Sequence, residues 1–140
     1  MIKNLSILLV EDDDVAAEAV TRSLKKVDPK IKIIWKQNGK LAIDALREKA
    51  QQKEISEPYL VLLDLNMPVM NGFEFLDHIR KDKNLNNTVV FILTTSNEDN
   101  DRTRAYHNNV AGYMVKHAIG PQFAKLAILM DAYIHAIELE

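Results

Sequence analysis

The stretch Leu62-Leu63-Asp64-Leu65-Asn66-Met67-Pro68-Val69-Met70-Asn71-Gly72 decides how this chain is read. It closes an apolar run over 59–63 that is too short for a globular helix and fits a strand buried on both faces. A carboxylate follows at the strand end, then a loop marked by proline and Asn71-Gly72. After these come Phe73, Leu76 and Ile79 at helical spacing. Strand, polar loop and amphipathic helix make one βα unit.

Working outward, four more apolar runs recur at 5–10, 31–36, 89–93 and 111–115, each followed by helical spacing. The run at 31–36 alternates Ile31, Ile33 and Trp35 with Lys32 and Lys36, the signature of a sheet edge. The chain is therefore expected to be α/β, a single doubly wound five-stranded parallel sheet in the flavodoxin-like order 2-1-3-4-5. Helix one should bury Ala16, Val20, Leu24 and Val27 and end at Asp28-Pro29. Helix two, over about 40–50, should bury Leu41, Ala42, Ala45 and Leu46. The polar segment 51–58 reads as a surface loop or helix extension. Ser96-Asn97-Glu98-Asp99 reads as a capping box opening helix four with Ser96 as the cap, and Pro121 suits the first turn of helix five.

The 140 residues carry 18 basic and 20 acidic side chains, a formal net charge of -2, and no cysteine. That size suits one domain, 1–140, with no output domain. The charge disfavours a general polyanion binder, so neither nucleic acid nor membrane is an expected partner. The absence of cysteine removes disulfides, thiol nucleophiles and cysteine-based zinc sites. The run at 5–10 is too short for a signal peptide or a membrane span, and a cytoplasmic protein is expected.

In open α/β sheets, ligands bind beyond the carboxyl ends of the strands, where the strand order reverses. The polar residues of this chain gather there. Strand one runs into Glu11, Asp12 and Asp13, strand three into Asp64, strand four into Thr94 and strand five into Lys116. In the order 2-1-3-4-5, strands one and three are neighbours, so Glu11, Asp12 and Asp64 should share a crevice. Two carboxylates about 4 Å apart repel by roughly 4 kcal/mol at an effective dielectric of 20, which invites a proton or a cation. All-oxygen ligands favour Mg²⁺, and three carboxylates with Mg²⁺ and Lys116 sum to zero charge, a site able to accept an incoming phosphate. The chemistry this permits is attack by Asp64 on phosphorus, with no general base, because the carboxylate is already ionised.

These residues resemble the receiver domains of two-component response regulators, and the resemblance covers essentially the whole chain. It is carried by Ile7-Leu8-Leu9-Val10-Glu11-Asp12-Asp13, the Asp64 stretch, Leu93-Thr94-Thr95-Ser96 and Gly112-Tyr113-Met114-Val115-Lys116, in order. It implies that Asp64 is the phosphoacceptor, with Asp12 a metal ligand, Glu11 a ligand directly or through water, and the backbone carbonyl of Asn66 completing the site. Thr94 and Lys116 would read the phosphoryl group, and Tyr113 would report the switch. It further implies a sensor histidine kinase as partner; the chain is most similar to the stand-alone regulators paired with phytochromes. One departure stands out: His117 follows Lys116 where receivers usually carry proline, so the resemblance does not fix the orientation of Lys116.

Other residues take plainer readings. Asp13 is expected to cap helix one, Trp35 to pack at the sheet edge, Pro68 and Gly72 to shape their loop, and the four histidines to have no role. Helix five, over 123–137, is apolar around much of its circumference, so a homodimer through helices four and five and strand five is expected. A phosphorylation-independent receiver-like binding module is the alternative function. A flavin carrier of similar topology fails because three acids in the first βα turn would repel a cofactor phosphate.

Overall fold

Ser6–Val10 forms the first strand, β1, with all five residues buried, in a computed structural model that describes residues 6–48, 55 and 59–116. The elements follow as α1 (Asp14–Val27), β2 (Lys32–Lys36), α2 (Gly39–Arg47), β3 (Tyr59–Leu63), α3 (Gly72–Lys81), β4 (Val90–Thr94), α4 (Asp99–His107) and β5 (Gly112–Val115). The strands pair in parallel in the order β2-β1-β3-β4-β5. This is the expected doubly wound sheet. Helix five, Pro121, His117 and its peptide bond to Lys116, and all of the 51–58 segment but Ile55 lie outside the described residues, as does the side chain of Val27.

Successive side chains of a strand point to opposite faces, so each central strand feeds two cores. Leu8, Val10, Val61, Leu63, Val90 and Ile92 pack with Ala42, Leu46, Phe75, Leu76 and Ile79 of α2 and α3. Ile7, Leu9, Leu60, Leu62, Phe91 and Leu93 meet Ala17, Val20 and Leu24 of α1 on the other face. Strand β2 lies at the edge of the sheet as expected, but its inward residue is Ile34, with Ile33 half-buried and Trp35 exposed, so the alternation of Ile33 and Trp35 with the lysines is not what sets its buried side.

Side-chain caps set the helix starts. Asp13 accepts from the Val15 N–H at 3.0 Å, as expected, and Asn38 accepts from Leu41 at 3.0 Å. Asn71 and Glu74 form a reciprocal capping box at the start of α3. The expected box at Ser96 is not formed: α4 begins at Asp99, its N-cap Glu98 makes no side-chain cap bond, and the Ser96 hydroxyl donates instead to Asp101 at 2.5 Å. Two core assignments shift by a residue or two. Ala17 is buried where Ala16 was expected, and Leu41 is 44% exposed while Ile43 takes the inward place. The other expected positions with a described side chain, Val20, Leu24, Ala42, Ala45 and Leu46, are buried, so each helix differs only at the border of its apolar stripe.

Arg80 staples the edge of the sheet away from the strand ends. Its guanidinium donates to the carbonyls of Asn108 (2.7 Å), Asn86 (3.0 Å), Thr88 (2.8 Å) and Asn109 (3.2 Å), joining α3 to the approach to β4 and to the turn before β5. Asn109 sits at φ 60°, a left-handed position that asparagine tolerates after a helix end. Arg80→Ala is expected to cost about 2–3 kcal/mol in urea unfolding, because several carbonyls lose a charged donor together. Arg80→Lys should recover less than half of that, since an ammonium cannot reach carbonyls on both sides at once.

Candidate functional site

The sheet register brings the strand ends level. Val10 pairs with Lys36 on one side and Leu63 on the other, so Glu11 and Asp64 leave adjacent strands side by side. Their backbones stay in the ladder: the Glu11 N–H donates to Lys36 O and the Asp64 N–H to Val10 O, both at 3.0 Å. Trp35 adds a second tie by donating its indole N–H to the Glu11 carbonyl at 2.7 Å. Sequence reading placed Trp35 at the edge as packing and missed this bond. The signal was available in the order 2-1-3, which sets the end of the second strand beside the end of the first.

Glu11 and Asp64 are buried, Asp12 is exposed, and carboxylate oxygens of all three lie within 4.8 Å of one another. Lys116 bonds Glu11 Oε1 and stands 3.8 Å from Asp64 Oδ2. The lysine therefore points into the acidic cluster, with histidine rather than proline following it in the sequence. Burial pushes the Glu11 carboxyl up to about 7, with the neighbouring Asp64 charge adding to the rise and Lys116 opposing it. Buried carboxylates this close are costly as anions. An oxygen-only donor set with one exposed member suits a hard divalent cation.

The β3–α3 loop is held against the site by its backbone. The Gly72 N–H donates to Leu65 O at 2.9 Å, and a Cβ at Gly72 would stand 2.5 Å from Asp64 O, so glycine is needed for this close approach. The Asn66 N–H reaches toward Asp64 Oδ1 at 3.4 Å. Between them and α3, Val69 takes φ 69° and the Met70 N–H donates to Pro68 O at 2.8 Å. This γ-turn is strained for a β-branched residue. Its neighbour Met70 accepts from the Gly39 N–H at 3.3 Å and crowds the position a Gly39 Cβ would occupy.

Thr94 ends β4 fully buried, opposite Val115 in the β4–β5 register, so Thr94 and Lys116 belong to neighbouring strand ends. The Thr94 hydroxyl accepts from the Ser96 N–H at 3.3 Å. The Tyr113 hydroxyl donates to the Ser96 carbonyl at 3.1 Å. Ser96 thus touches both residues assigned to the switch, a position that its reading as a helix cap did not anticipate.

A family model described as the response regulator receiver domain matches residues 7–126. The chain belongs to the receiver family. That family is one of signalling phosphoacceptors, not catalytic enzymes. This receiver is 39% identical over 110 residues to FilR2, a probable methanogenesis regulatory protein of Methanothrix harundinacea, covering 79% of this chain and 70% of that one. It is 33% identical to the response regulator Rcp1 of Synechocystis, over 79% of this chain and 75% of Rcp1. The crystal structure of the Mn²⁺-bound form of Rcp1 superimposes with a TM-score of 0.82 at 28% identity, covering 96% of this chain and 98% of that one. The phosphorylated cyanobacterial phytochrome response regulator RcpA superimposes with a TM-score of 0.85 at 27% identity, over 98% and 99% of the two chains. The receiver is thus related to phytochrome response regulators, and its acidic cluster is compatible with a divalent metal. No helix among the described residues is long and apolar enough to cross a membrane.

The raised Glu11 carboxyl carries a pH dependence with a definite sign. In chelator, the folded chain keeps the Glu11 proton up to about 7, whereas the unfolded chain releases it near 4.5. The native state then binds more protons across that window, so this contribution to stability is lost as pH rises through about 7. Glu11→Gln should remove the slope and raise the metal-free protein's stability at pH 8 by about 1–2 kcal/mol, read from urea midpoints. An unchanged difference between wild type and variant from pH 5 to pH 8 would refute it.

Proposed function

We propose that this receiver accepts a phosphoryl group on Asp64 from a sensor histidine kinase, in an Mg²⁺-dependent reaction, and signals by changing the surface formed by α4, β5 and the helix that follows. One observation carries the reading: the Asp64 carboxylate shares one cluster with Glu11 and Asp12, and Lys116 stands 3.8 Å from its Oδ2. An Asp64 oxygen forms the new O–P bond while the P–N bond to the donor imidazole breaks, and the released imidazole takes its proton from solvent. Glu11, Asp12, Asp64 and the carbonyl of Asn66 are the groups that would hold the metal. Bound there, Mg²⁺ would neutralise charge on the transferring group.

Lys116 has to exchange part of its Glu11 contact for the phosphoryl oxygens, and the Thr94 hydroxyl has to turn toward them. Two charge-assisted bonds of roughly 1.5–3 kcal/mol each approach the ~5.5 kcal/mol that moves a population from 1:99 to 99:1. Turning Thr94 alters the acceptor of the Ser96 N–H, and Ser96 carries the Tyr113 hydroxyl on its carbonyl. The proposed signal then has a bonded route from Thr94 through Ser96 to Tyr113 of β5.

The input is a histidine kinase, and a phytochrome is the class favoured by the resemblance to Rcp1 and RcpA. The output is proposed to be a homodimer through α4, β5 and helix five, in the cytoplasm. The apolar composition of 123–137, where only Lys125, Asp131 and His135 are ionisable, supports a second copy as the partner.

Incubation with acetyl phosphate and Mg²⁺ is expected to add one phosphoryl mass that hydroxylamine removes, and to shift the sizing profile toward dimer. Asp64→Asn should abolish the adduct, and an adduct of normal yield in that variant would overturn the assignment. Thr94→Ala should accept the phosphoryl group yet show a weakened Tyr113 response by NMR. A wild-type response would remove Thr94 from the pathway. Failure of the wild type to trap beryllofluoride with Mg²⁺ would favour the phosphorylation-independent module.

A further inference from the structure

Helix α4 buries little apolar surface. Ala105 is its buried residue, and the segment Asp99–His107 is otherwise polar or exposed, so apolar packing holds it weakly. Polar and ring contacts take over. Ser96 Oγ donates to Asp101 Oδ2 at 2.5 Å, the Arg104 guanidinium lies 4.1 Å from the Phe73 ring centroid, and the Arg102 guanidinium lies 5.2 Å from the Tyr113 ring centroid. Arg102 is itself anchored: Nη1 donates to Asp99 Oδ1 at 3.1 Å and Nη2 to Asn97 Oδ1 at 2.9 Å.

We propose that Arg102 is a positioning residue for Tyr113: its guanidinium, anchored by Asn97 and Asp99, covers the phenol ring and holds the hydroxyl on the Ser96 carbonyl, so that Tyr113 and α4 move as one unit. A planar guanidinium fixed on both sides can face a ring at little further entropic cost, which a free lysine could not do. The unit closes on itself through Ser96, which accepts from Tyr113 at its carbonyl and donates to Asp101 of α4 at its hydroxyl. Displacement of the ring then has to break a cation–π contact as well as the hydroxyl bond, which leaves the Ser96–Asp101 bond to hold the first turn of α4. The regulatory meaning of this unit rests on the phosphoacceptor reading of Asp64, whereas the positioning role does not.

The two roles open to Arg102 predict opposite signs. Burial holds the Tyr113 phenol above its ordinary value; the Ser96 contact and Arg102 oppose the rise, and Asp101 and Glu98 add to it. If Arg102 were only a neighbouring charge, removing it would raise the phenol further and leave the ring in place. If it holds the ring, removal exposes the phenol and its titration falls back toward the ordinary value. The test is ¹⁹F NMR of the chain labelled with 3-fluorotyrosine, titrated through the alkaline range in chelator, with the resonance assigned by Tyr113→Phe. Arg102→Gln is expected to lower the Tyr113 titration and reduce the ratio of engaged to released ring by roughly two- to fivefold. A raised titration with an unmoved resonance overturns the proposal. Arg102→Lys keeps the charge and loses the anchored plane, so it should restore wild-type behaviour incompletely. Full restoration by lysine would overturn the proposal even if the glutamine variant failed to fold. A final arm adds Mg²⁺ and beryllofluoride. A Tyr113 response in wild type that is weaker in Arg102→Gln supports the coupling, and an equal response in both overturns it. Failure of wild type to take up beryllofluoride counts against the Asp64 reading and leaves the titration result standing.

Discussion

Glu11, Asp12 and Asp64 bring like charges within 4.8 Å at the carboxyl edge of the sheet, and the rest of the structure is arranged around that conflict. At an effective dielectric of 20, each such pair repels by about 3–4 kcal/mol. The fold answers in three ways. Lys116 enters from the last strand to offset the charge, the Glu11 carboxyl is pushed up to about 7, and the backbones of both buried acids stay in the sheet ladder so that they cannot retreat. Burial on both faces of β1 and β3 makes that ladder rigid, because leaving it would strand buried N–H and C=O groups. The cluster is poised for a cation for the same reason it is costly without one.

Around this fixed centre, the structure grades from rigid to weakly held. Trp35 and Lys36 brace Glu11 from β2, and Gly72 lets the start of α3 press on the Asp64 backbone. The γ-turn at Val69 keeps strain in the loop just beyond Asn66. Toward β4 and β5 the attachments become polar. Ser96 links Thr94, Tyr113 and α4 by three hydrogen bonds, and Arg102 lies over Tyr113. Hydrogen bonds of this kind exchange partners at modest cost, whereas a packed apolar core resists small displacements. The acidic cluster thus lies on the stiff half of the strand ends, and the polar attachments of Ser96, Tyr113 and α4 on the other.

The similarities to FilR2, Rcp1 and RcpA span most of the chain, and the superpositions on Rcp1 and RcpA cover nearly all of it. They place the chain in a signalling family, while the geometry of Glu11, Asp12, Asp64 and Lys116 forms an acidic cluster compatible with a divalent metal. The two lines are independent. One rests on the pattern of the whole chain and the other on interatomic distances among four side chains.

The sequence by itself determined the alternation of five strands and helices, the edge position of β2, the cap at Asp13 and the set of polar residues at the strand ends. Each of these is written in local pattern: period-two or continuous apolar runs, a short acceptor before a helix, a carboxylate after a strand. Tertiary structure alone decided the rest. That Lys116 points at Glu11 and Asp64 despite His117, and that Trp35 holds the Glu11 carbonyl, depends on partners 105 and 24 residues away. Ser96 looked like a cap because its local pattern allowed one, but its hydroxyl found Asp101 and its carbonyl found Tyr113 once β4 and β5 were paired. A short polar side chain has several acceptors within reach, and which one it takes is settled by packing that no local stretch of sequence contains.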